Sequence, residues 1–289
     1  MLRVKASKLS YLDDVANYKG ALFTGIAYFI SGGVIAKVSR FNEGEEVGSY
    51  VCEFLPDAVP LISIDTDLLE SEDDLEPYLY HDKAFTGLAY DFDGDKCVGE
   101  ALYRDGILCY EASWYDTGQI ATLEILDENL YQNVWWNKDG SYQYVKISEK
   151  NSFKLDVRFN EDRLITSVRI EGDYFSRVPF LKEKIRVRFL ERRSDICNLE
   201  LASYLYLAGS GVDDQFLDAL ETTKGFGGLK KLHVNSSELK GQRLIDLVDQ
   251  NDLQELLIDD DANKLSEAAG EVKNKYPMCY IEYNRVVLA

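Results

Sequence analysis

Phe23-Thr24-Gly25-Ile26-Ala27-Tyr28 is matched 62 residues later by Phe85-Thr86-Gly87-Leu88-Ala89-Tyr90. The same offset carries Gly32 to Gly94, and Phe41-Asn42-Glu43-Gly44 to Tyr103-Arg104-Asp105-Gly106. An ungapped match with its glycines in register indicates an internal duplication, so the fold must be one that two like units can build. Glycines at 94, 106 and 118 are spaced by twelve, enough for two short strands and their turns. Each copy reads as strand, glycine turn, strand, glycine turn, strand. Tight hairpin turns need positive φ, which glycine adopts without steric cost.

Residues 56–82 lie between the copies and include Asp65-Thr66-Asp67 and Glu70-Ser71-Glu72-Asp73-Asp74-Leu75-Glu76. They read as an acidic connector, a solvated loop or short helix. Their carboxylates lack the spacing and central glycine of an EF-hand loop. Beyond Ile120 the hairpins continue: Trp135-Trp136-Asn137-Lys138-Asp139-Gly140-Ser141-Tyr142 again sets aromatics before an Asp-Gly turn. Residues 153–159 and 164–170 alternate apolar and polar side chains around Asn160-Glu161-Asp162-Arg163, as a half-buried antiparallel hairpin does. Residues 184–189 alternate too and are expected to form the last strand of this region. The reading is of an elongated antiparallel β-meander over 1–190.

The pattern changes near Glu191-Arg192-Arg193. Ala202-x-x-Leu205-x-Leu207, Leu229-x-x-Leu232-x-Val234, Leu253-x-x-Leu256-x-Ile258 and Met278-x-x-Ile281-x-Tyr283 follow at spacings of 27, 24 and 25. Apolar residues at helical spacing lie between them, among them Leu239, Leu244, Ile245 and Leu247. One short strand and one helix per unit, each burying its neighbour's apolar edge, describes a small α/β solenoid over 191–289. The chain as a whole is expected to be an α+β repeat protein in two domains.

Net charge is −19, from 51 acidic and 32 basic residues. Phosphate would be repelled over most of such a surface, so nucleic acid is excluded as a direct ligand. A basic protein partner would be steered toward it. The five cysteines are scattered, with no C-x-x-C pair, and read as reduced thiols of a cytoplasmic protein. Only His81 and His233 offer imidazole, which argues against a zinc site. No apolar run approaches the ~18 residues of a spanning helix. No secretory h-region opens the chain.

The C-terminal pattern resembles leucine-rich repeats. The family's turn asparagine is replaced by Ser210, Ser237 and Asp261 in three units and by Val286 in the fourth. Short polar side chains still bond a turn backbone; valine cannot, which implies a terminal cap. The N-terminal part resembles the MORN-variant repeats of bacterial antitoxins of the YwqK type, best over Tyr103-Arg104-Asp105-Gly106 and Trp114-Tyr115-Asp116-Thr117-Gly118-Gln119-Ile120. That resemblance implies an immunity or antitoxin role, with a cognate toxin domain as partner.

No catalytic constellation stands out. Two histidines in different regions give no triad with a nucleophile and an orienting acid. Asp91, Asp93 and Asp95 flank Gly94 and read as turn residues. Lys224-Gly225-Phe226-Gly227-Gly228 lacks the phosphate-loop pattern and reads as a solenoid turn. Trp114, Trp135 and Trp136 read as packing residues. Strand alternation puts Tyr204, Tyr206, Lys231, His233, Glu255, Leu257, Tyr280 and Glu282 on the concave face of the solenoid, and tyrosine is enriched at binding hot spots. The expectation is a non-enzymatic, cofactor-free protein that binds a toxin domain through this face. The alternatives are a scaffold or peripheral membrane protein, which the negative charge opposes at anionic leaflets, and a hydrolase with paired carboxylates.

Overall fold

The computed structural model describes residues 1–52, 62–72, 75–126, 129–150, 153–161, 165–172, 204–214, 217, 229–235 and 237–288. The described chain is mostly strand. It divides into two compact units: Met1–Glu128 with Asn133–Ser141, and Asn129–Gln132 with Tyr142–Ala289. The expected boundary at 190/191, the strand at 184–189 and the glycine run at 224–228 lie outside the described residues.

The duplication in the first unit is longer than the matching motif. Leu2–Lys5, the 3-10 turn Ala6–Lys8 and the strands Ser10–Leu12 and Val15–Tyr18 precede the first motif. Ile62–Asp65, Thr66–Leu68, Glu70–Glu72 and Leu75–Tyr80 precede the second in the same order. Leu2 pairs in parallel with Gly25 and Val4 with Ala27; Ile62 pairs likewise with Gly87 and Ile64 with Ala89. Most of the segment read as an acidic connector is therefore the opening half of the second copy. Its acidic Asp65 does a local job, accepting a hydrogen bond from Asp67 N at 3.2 Å to cap the 3-10 turn.

After the motif both copies run through an antiparallel meander, Gly25–Ser31, Val34–Asn42 and Glu45–Ser49 in one, Gly87–Asp93, Lys96–Arg104 and Ile107–Trp114 in the other. Even the register shifts fall at matching places, before Phe41 and before Tyr103. Each copy closes over an equivalent core: Val4, Ala16, Phe23, Ala27 and Phe41 in the first, Ile64, Phe85, Ala89, Ala101 and Tyr103 in the second. Gly44 and Gly106 sit where each hairpin turn touches that core. Both have positive φ, and a Cβ on Gly106 would lie 2.8 Å from Tyr78 O. Backbone bonds Ala16 N to Gly44 O and Tyr78 N to Gly106 O, each 2.8 Å, fix that approach.

The two copies meet reciprocally. Lys5 N donates to Asp95 O at 2.9 Å, and Asp65 N donates to Gly33 O at 2.8 Å. Val4 bridges to Lys96, and Val34 to Ile64. Tyr28 and Tyr90, equivalent residues, meet ring to ring at 5.1 Å. Each contact is the other with the copies exchanged, so the unit has the isologous arrangement of a twofold dimer within one chain.

In the second unit, Tyr142–Glu149, Phe153–Phe159 and Ile165–Glu171 form an antiparallel meander. Ile165–Glu171 then pairs in parallel with Tyr204–Ala208, and the parallel ladder continues through Lys231–Asn235, Glu255–Asp259 and Tyr280–Tyr283. Val286–Val287 folds back antiparallel on the last of these. Helices Gly241–Asp249 and Ser266–Lys275 occupy the connections that are described, since parallel strands need such crossovers. Leu205, Leu207, Leu232, Val234, Leu256, Ile258 and Ile281 are all at most 1% exposed. Leu244, Leu247, Ala269 and Val272 of the helices are buried as well.

Candidate functional site

Strand alternation leaves the other face of the second unit's sheet polar, and the parallel register sorts its side chains into rows. Tyr204, Lys231, Glu255 and Tyr280 stand side by side in one row. Tyr206, His233, Leu257 and Glu282 form the next. All eight face residues named from the repeat spacing thus lie in two adjacent rows. Tyr204 is 39% exposed and Tyr280 43%.

The second row extends beyond the leucine-patterned repeats. Tyr206 is registered with Ser167, Ser167 with Arg158, and Arg158 with Tyr144. Seven strands at ~4.8 Å spacing span about 29 Å. The sequence reading missed this extension, because the first three of these strands belong to a meander read as a separate domain.

Bonds within and between strands hold the face in place. Lys231 Nζ lies 2.7 Å from Glu255 Oε2, and Tyr280 OH donates to Glu282 Oε2 at 2.9 Å. His233 Nε2 is 2.9 Å from Asp259 Oδ2, and its ring stands edge-on to Tyr206 at 4.8 Å. Tyr144 OH donates to Asp156 Oδ2 at 3.0 Å. Burial raises the Tyr204 phenol above its ordinary pKa, helped by the neighbouring Tyr206 and Glu255. Tyr204 therefore faces solvent as a neutral hydroxyl at physiological pH. The His233–Asp259 pair has the first two members of a triad, but no serine, cysteine or threonine is bonded to that imidazole among the described residues.

A second polar group lies in the core of the first unit. Arg3, 8% exposed, stacks 3.8 Å over the Trp114 ring. Its Nη1 donates to Tyr28 OH at 3.0 Å and its Nη2 to Tyr50 OH at 2.8 Å. Glu100 is 3% exposed, and Tyr110 OH donates to it at 3.4 Å while also meeting Cys52 Sγ at 3.0 Å. Burial pushes the Glu100 carboxyl up to about 7, against the opposing pull of Arg3. Burial likewise pushes the nearby Cys97 thiol up to about 12, so it stays protonated and inert. Nothing in the sequence marked Arg3 or Glu100, since each reads as an ordinary surface charge on an alternating strand.

The remaining sequence candidates fall in structural roles. His81 and Asp82 have positive φ and form the turn between Leu75–Tyr80 and Lys83–Ala84. Gly94 and Asp95 form the hairpin turn, whereas Asp91 and Asp93, also read as turn residues, are paired on the strand before it; no group of metal-ligating side chains occurs among the described residues. Trp114 and Trp136 are buried, whereas Trp135 is 44% exposed. No disulfide joins Cys52, Cys97, Cys109 and Cys279 to one another; Cys197 lies outside the described residues. No described helix is long and apolar enough to cross a membrane.

No family model matches the chain, and neither does any curated protein. Among solved structures, a chain from the crystal structure of a GtfA/B complex bound to UDP and GlcNAc is similar over 77% of this chain and 48% of its own length. The identity is 16% and the TM-score 0.18. This chain thus spans about half of that one, and a likeness so low carries no argument about fold or function.

Proposed function

We propose that the protein is a non-enzymatic binding protein whose second unit presents its polar sheet face to a protein partner. The observation that carries this reading is the registered pair of rows: Tyr204 and Tyr280 are exposed at the ends of one row with the Lys231–Glu255 pair between them, and in the next row His233 is held by Asp259 and Glu282 by Tyr280. Such a face is rigid before binding, so docking onto it costs little side-chain ordering. Tyrosine supplies large contact area with a polar tip.

The parallel strands with intervening helices support reading the C-terminal repeats as leucine-rich. The duplicated hairpins support a MORN-variant relationship for the first unit. Together with the net charge of −19, these support an immunity-like role in the cytoplasm, with a basic toxin domain as the partner. The test is to mix the purified chain with the toxin domain encoded beside its gene. A stable complex and loss of toxin activity are expected; full toxin activity and no complex at micromolar concentrations refute the reading.

A further inference from the structure

One cavity of the first unit, about 530 Å³, opens beside the buried cluster. Arg3, Arg40, Tyr50 and Trp114 line it together with Ile26 and Ile120, and no acidic residue does so among the described residues. This volume suits a small molecule. On a chain with 51 acidic residues, a concavity walled by two arginines, with no carboxylate among its described lining residues, favours an anion. Low-dielectric walls focus such a field. Neither arginine makes an ion pair among the described residues. Glu100, electrostatically coupled to Arg3, is 3% exposed and does not line the cavity. The Arg3 guanidinium is held on the Trp114 ring and by two phenols, so it is positioned before any ligand arrives.

The duplication supplies an internal comparison. Arg3 pairs with Ile26, and Ile26 with Arg40. At the matching positions of the second copy, Ser63 pairs with Leu88, and Leu88 with Leu102. Tyr50 corresponds to Ala112, both bonded across to equivalent strands. The fold therefore accepts serine, leucine and alanine at these three places. Framework packing does not call for the arginines, and a buried guanidinium is costly to keep.

We infer that this cavity binds a small organic oxyanion, a carboxylate or phosphate monoester with an apolar body. The oxyanion would sit between Arg40 and the Arg3 guanidinium, with the apolar part along Ile26, Ile120 and the Trp114 ring. Planar guanidinium groups favour such anions. The site lies within the first unit, so the inference stands apart from the partner-binding reading of the second.

The full chain would be titrated with benzoate, phenyl phosphate and the neutral isostere benzamide, following heat and tryptophan emission. At least one anion is expected to saturate a single site, with benzamide at least about tenfold weaker. The stronger of the two anions identifies the headgroup. Arg40→Leu, which installs the residue of the other copy, should weaken binding about tenfold at unchanged melting temperature. Arg40→Gln gives the same reading if leucine alters folding, and Trp114→Phe should remove most of the emission change. The inference is overturned if neither anion saturates by ~10 mM, if benzamide binds equally well, or if both Arg40 variants bind as the parent does.

Discussion

Replacing Glu100 by glutamine tests the energetics of the buried cluster. Glu100→Gln keeps the shape and an acceptor for Tyr110 OH but cannot ionise. In the folded chain burial raises the carboxyl from 4.5 to about 7. A raised acid favours the folded state where it is protonated. Its contribution is fully present below pH ~4.5, declines as pH rises, and is gone above pH ~7. At about 1.4 kcal/mol per pH unit, the parent should lose about 3 kcal/mol relative to the glutamine variant across that window. Taking the difference between the two proteins cancels the titration of every other group. Urea denaturation of both at about pH 4.5 and about pH 8, read from tryptophan emission, measures it. The variant should gain on the parent as pH rises and level off above neutrality. A difference that is flat with pH, or one that moves in the parent's favour, would show that Arg3 compensates Glu100 fully and that desolvation does not dominate.

Three other outcomes follow from the same structure. Gly94→Ala meets no atom within 4 Å and bears only the positive-φ cost, about 1 kcal/mol, whereas Gly106→Ala also drives a Cβ to 2.6 Å from Pro77 Cβ and should cost roughly 2–4 kcal/mol, both measurable by urea denaturation. Phe23→Ala and Phe85→Ala remove the equivalent core ring from each copy, 1% and 3% exposed, and should each destabilise by about 3–5 kcal/mol; a near-neutral result for one would contradict the equivalence of the two cores. Tyr204→Ala with Tyr280→Ala removes two exposed rings and should leave stability within about 0.5 kcal/mol per site, as thermal melting would show.

The hairpins were legible in the sequence because their glycine turns and strand alternation are local signals. The two rows of the second unit were legible because repeats spaced by 24 to 27 residues place equivalent side chains opposite each other. The start of the duplication was hidden by two residues: the copies run at an offset of 60 as far as the 3-10 turn and 62 from the motif onward. The difference is absorbed by a register irregularity between Leu75 and Leu79. The parallel pairing of Leu2–Lys5 with Gly25–Ser31 leaves no local trace either. The buried cluster was illegible for a different reason. Arg3 and Glu100 are enclosed by long-range packing against Trp114, Tyr50 and Tyr110, and alternation along a single strand reports only one of the two surfaces that bury a side chain.

The most direct test of the binding-face reading is the affinity of the neighbouring toxin domain for the parent chain and for the Tyr204→Ala, Tyr280→Ala double variant, measured by calorimetry alongside melting temperature. The account predicts a complex with the parent that weakens at least about tenfold in the variant while the melting temperature holds. Equal affinity for both proteins, or no complex with the parent, would contradict it.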